Sequence, residues 1–79
     1  MTLLIMATTV PAWEAQLEDG RWTRYPDDAQ RLLEAGHADP STATADVMGR
    51  YTVSFERGHF QTNPETGKDR PVRRREVET

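Results

Sequence analysis

A chain of 79 residues with no cysteine must hold itself together by packing and hydrogen bonds alone. It can form one small domain. Chains of this size bury only about 60 % of the surface they expose when unfolded, so the core is thin. Two Trp, two Tyr and two Phe are its heaviest packing material. Without thiols there is neither a disulfide nor a thiolate metal site, which suits an intracellular protein, nuclear or cytoplasmic.

The pattern along the chain reads as strands with one helix. Pro11 marks the start of the folded region. Trp13 to Glu18 reads as a strand, Asp19-Gly20 as a two-residue type I′ turn, and Arg21 to Tyr25 as the returning strand. Pro26 suits the first position of a helix, and Asp27 and Asp28 complement its dipole. Ala29, Leu32, Leu33 and Gly36 mark its buried stripe, with Gly36 as the stop. Thr42 to Met48, Tyr51 to Phe55, Phe60 to Thr62 and Arg70 to Arg75 read as further strands. Tyr51, Val53 and Phe55 share one face, and Asn63 to Gly67 forms a hairpin loop. The expected fold class is α+β, a curled antiparallel sheet (half-barrel) of about six strands with one helix packed on it.

Three segments follow. Residues 1–10, MTLLIMATTV, are an apolar N-terminal extension, either an extra strand or disordered. They lack the basic region of a secretory signal and are too short to span a bilayer, so no membrane association is expected. Residues 11–75 form the domain, and residues 76–79 a frayed tail.

The ordered set Trp13-Glu14, Gly20-Arg21-Trp22, Tyr25, Leu33-Glu34, Tyr51 to Phe55, Gln61-Thr62-Asn63, Thr66-Gly67 and Arg70 to Arg74 resembles the WWE domain. That family is named for two Trp and one Glu, here Trp13, Trp22 and Glu34. The look is closest to the copies in Deltex-type and giant HECT-type ubiquitin ligases. The resemblance implies a half-barrel with the helix on its outer side. It also implies a binding module for the iso-ADP-ribose unit of poly(ADP-ribose), or for terminal ADP-ribose or ATP, within a ubiquitin ligase or a poly(ADP-ribose) polymerase.

Four residues at matching positions have the required chemistry. Gln61 can donate and accept at an adenine edge. Arg70 offers a planar fork for phosphate, with a surface pairing to Asp69 or Glu65 as the structural alternative. Tyr51 offers a hydroxyl or a packing ring, and Trp22 a wall beside the base. Trp13 reads as core, and Glu34 as a structural partner for backbone or an indole N–H. The family usually carries an aromatic where this chain has Ala15, and Tyr51 to Gln61 is one residue longer than usual. A bulge near Gly58 would absorb the extra residue, and Phe60 or His59 would then refill the slot beside Ala15.

Other chemistries lack support in the sequence. His37 and His59 have no metal-ligand spacing, no serine stands in a nucleophile elbow, and no phosphate loop is present. No enzyme activity, no catalytic residue, no metal and no cofactor are expected. The net charge of -3 opposes specific DNA or RNA binding, although Arg70 to Arg75 form a basic end. The alternative function is a protein-protein interaction module with a degenerate nucleotide pocket, for which Ala15 and the apolar Leu3 to Met6 stretch speak.

Overall fold

The computed structural model describes residues 8–56 and 58–78. Strands β1 (Thr9–Gln16) and β2 (Trp22–Arg24) precede helix α1 (Asp27–Ala38). Strands β3 (Thr44–Val47), β4 (Tyr51–Ser54), β5 (His59–Asn63) and β6 (Lys68–Glu78) follow. They form one antiparallel sheet in the order β2-β1-β6-β5-β4-β3, curled but not closed, with the helix packed on it. The expected fold class is correct. Of the N-terminal extension, residues 1–7 lie outside the described residues, while Thr9 and Val10 belong to β1. β6 continues past Arg75 to Glu78, which lies opposite Thr9.

Directly paired residues share a sheet face, so the register sorts the side chains into two sets. One face carries Trp13, Ala15, Val72, Arg74, Arg70, Gln61, Val53 and Tyr51. The other carries Glu14, Trp22, Arg73, Phe60 and Pro71. Ala29 and Leu33 of α1 join Trp13, Val47, Val53 and Val72 in the core. The helix therefore lies on the inner face of the curl, not the outer side, and touches both β1 and the edge strand β3. Leu32 is 52 % exposed and drops out of the expected stripe. Gly36 does not stop the helix, which runs on to Ala38. It is a point of close approach: a Cβ there would stand 2.8 Å from the Phe55 ring.

The three residues of the pattern's name do different jobs. Trp13 is fully buried, with the rings of His37, Phe55 and His59 around it. Its indole Nε1 donates to Glu34 Oε2 at 2.8 Å. Arg74 grips the same carboxylate with Nε at 2.9 Å and Nη2 at 2.8 Å, a two-point pair. Glu34 is thus the structural partner that the sequence suggests. One turn earlier, the Gln30 side chain closes the backbone of Trp13, accepting from its N–H and donating to its carbonyl, both at 2.8 Å.

These contacts set the response to acid. The Arg74 guanidinium, and then the Trp13 N–H, hold the Glu34 carboxyl below the usual carboxylate range. Burial alone would raise Glu14, yet Arg73 and Arg75 bring it below that range as well. Burial, and then the neighbouring His37, lower His59. In each case the unfolded chain binds the proton first, so stability is full above the unfolded pKa and is lost as pH falls. A melting-temperature series should therefore decline gently below about pH 6.5 and steeply below about pH 4.5. Glu34→Gln should lower the neutral plateau and flatten the steep limb. A steep limb unchanged in that variant would show that the Glu34 pair contributes nothing to it.

Candidate ligand-binding site

The inner face leaves one end of the curl unfilled. There Ala15, Leu17, Thr23, Tyr25, Met48, Tyr51, Gln61 and Arg70 line a cavity of about 240 Å³, together with Arg24 and Pro26. Its buried end is made by Tyr25 and Gln61, which are 6 % and 7 % exposed. The Tyr25 hydroxyl donates to Gln61 Oε1 at 2.6 Å. Burial, and then the nearby Tyr51, raise the Tyr25 phenol far above its ordinary value, so it remains a donor. The Gln61 carbonyl is thereby engaged, and its NH₂ group is what this side chain still has to offer as a donor. Arg70, directly across from Gln61 in the β5–β6 ladder, stands at the more open end with 27 % of its side chain exposed. Tyr51 is half-buried, with the Arg50 guanidinium 5.6 Å from its ring centre.

Three of the four residues picked from the sequence therefore meet. Trp22 does not line the cavity. It lies on the outer face, where the Arg73 guanidinium sits 4.3 Å over its ring and Glu14 holds Arg73 at 2.7 Å. Arg70 is paired neither with Asp69, which accepts from Thr62, nor with Glu65, but faces Glu18 at 3.6 Å. Neither candidate refills the space beside Ala15: Phe60 is on the outer face and 43 % exposed, and His59 packs on Trp13. Gly58, the expected site of a bulge, lies in the connection between β4 and β5 and adopts φ 88°.

The cavity residues that the sequence did not assign to the site are Leu17, Thr23, Arg24, Tyr25, Pro26 and Met48. Tyr25 stands in the quoted pattern, so its signal was present. Met48 reaches the site from a turn in which it and Gly49 both have positive φ, 57° and 68°.

A sequence-family model described as WWE domain matches residues 11–74. The chain belongs to the WWE family. The match runs from Pro11 in β1 to Arg74, the partner of Glu34, and so takes in every residue of the cavity. A search of curated proteins gave no match. WWE domains are protein-interaction or ADP-ribose-binding modules and not a catalytic family. Among the described residues no cluster of three or more His, Cys, Asp or Glu is placed to hold a metal ion.

Proposed function

We propose that this WWE domain is a non-catalytic reader of ADP-ribose units. Its preferred ligand is the iso-ADP-ribose of poly(ADP-ribose), and Tyr51, Gln61 and Arg70 make the contacts. The base would enter the buried end, where the Gln61 N–H groups meet ring nitrogens of adenine. The diphosphate would lie at the open end on the Arg70 fork. A cavity of about 240 Å³ is below the roughly 300–1,000 Å³ that enclose a whole drug-sized ligand. It suits a base and sugar held inside with the phosphates at the mouth.

One observation carries this reading. Gln61 and Arg70 are register partners on one sheet face and line a single cavity that the protein's own side chains leave open. The domain would act inside the cell and bring an attached ubiquitin ligase, of the Deltex or HECT type, or an ADP-ribosyltransferase, to ADP-ribosylated targets. A second reading, a protein-interaction module, draws on Ala15, which leaves the wall without a ring, and on Met48, 51 % exposed beside the mouth.

Calorimetric titration with iso-ADP-ribose, ADP-ribose and ATP separates the two readings. One-to-one saturation, tightest with iso-ADP-ribose, is expected. A folded domain that gives no heat and no NMR shift with any of the three would select the protein-interaction reading.

A further inference from the structure

Arg70 belongs to two hollows at once. Besides the cavity, it lines a shallower depression with Leu17, Glu18 and Asp19, all from the β1–β2 connection. Its Nη2 stands 3.6 Å from Glu18 Oε1, close enough to feel the charge and too far for a hydrogen bond. The same carboxylate oxygen is gripped by Lys68 Nζ at the start of β6. Glu18 is tethered beside Arg70 without saturating it. The neighbouring Asp19 turns instead to Arg21, whose Nε takes its carboxylate at 2.6 Å.

A phosphate arriving on Arg70 would have to share that guanidinium with Glu18 or push the carboxylate aside. Lys68 keeps a displaced Glu18 nearby, so its charge remains next to whatever lies beyond the first phosphates. Sugar hydroxyls can donate to a carboxylate, whereas a further phosphate is repelled by it. We propose that Glu18 is a specificity-determining residue of the site. It makes the site select an adenosine phosphate whose diphosphate continues into a sugar over one that ends in additional phosphate. This inference rests on the nucleotide reading of the cavity.

The test compares ADP-ribose with ATP, both in EDTA, on the wild-type chain and on Glu18→Gln. Glu18 has 66 % of its side chain exposed, so the variant should fold with an unchanged melting temperature. The wild type should prefer ADP-ribose. Glu18→Gln should tighten ATP by about three- to tenfold and ADP-ribose by less, narrowing the preference. The gain should shrink at roughly 0.5 M salt, where charges on the surface are screened. Binding of both ligands with a preference unchanged by the substitution overturns the role of Glu18 alone. Failure of both nucleotides to bind either chain overturns this inference, and failure of iso-ADP-ribose as well overturns the reading of the cavity with it.

Discussion

Trp13→Ala is expected to lower stability by about 3–5 kcal/mol, which for a domain of this size shifts the melting temperature by more than about 12 °C. The indole has no exposed surface and is the largest side chain in the core. Three rings pack against it, with centroids 5.2 to 5.8 Å away. Its removal leaves a void between α1 and the sheet and takes away the N–H that helps fix Glu34. Small domains hold a total of about 5–15 kcal/mol, so this one substitution should remove a large share of the whole. Trp22→Ala is the informative control. That indole loses chiefly its contact with Arg73, worth about 0.5–1 kcal/mol at an exposed site. Urea or thermal unfolding of the two variants should rank them clearly, and near-equal losses would contradict the division of roles between the two tryptophans.

Arg70→Ala should weaken nucleotide binding by about 30- to 1,000-fold, the range for removing one partner of a hydrogen-bonded charge pair. Stability should change little, because the only ion pair recorded for Arg70 among the described residues is the long one to Glu18, and such surface pairs are worth about 0–1 kcal/mol. Arg70→Lys keeps the charge without the fork and should fall between the two. Substituting Gln61 is a less clean test, since it would also strand the buried Tyr25 hydroxyl, at a cost of about 1–3 kcal/mol. Calorimetry on folded Arg70→Ala with wild-type affinity would remove Arg70 from the site.

Much of this could be read in the chain itself. The period of two in Tyr51, Val53 and Phe55, the proline before α1 with the aspartates in its first turn, and the order of strands pointed to the α+β sheet and its helix. Gln61 and Arg70 on one face followed from the family pattern. The misplacement of Trp22 has a single physical source. A two-residue turn at Asp19-Gly20 would set Trp22 opposite Leu17, on the cavity face. Instead the Leu17 N–H bonds the Arg21 carbonyl and Gly20 N–H bonds the Leu17 carbonyl. Gly20 takes φ 87° while Asp19 does not turn positive, so the loop holds three residues and ends in a bulge. Trp22 then pairs with Gln16, and one step of register moves its ring to the opposite face. The primed turn forms at Met48-Gly49 instead, with the methionine in a left-handed conformation that its propensity disfavours. Gly36 misled for a related reason: a glycine that ends a helix and one that admits a neighbouring ring look alike until the Phe55 ring is in place.

The pairing of the first and last strands bears on how the domain meets mechanical load. β1 and β6 lie side by side and antiparallel in the middle of the sheet, with Thr9 opposite Glu78 at one end and Ala15 opposite Val72 at the other. Tension applied through those two ends pulls across the ladder, opening its rungs one after another from Thr9 inward, so the force needed is that of a single rung. The rung that yields last joins Ala15 to Val72, next to the loop holding Glu18. A domain tethered by those ends would therefore lose its outer rungs first and the cavity, at the far end of the same ladder, last.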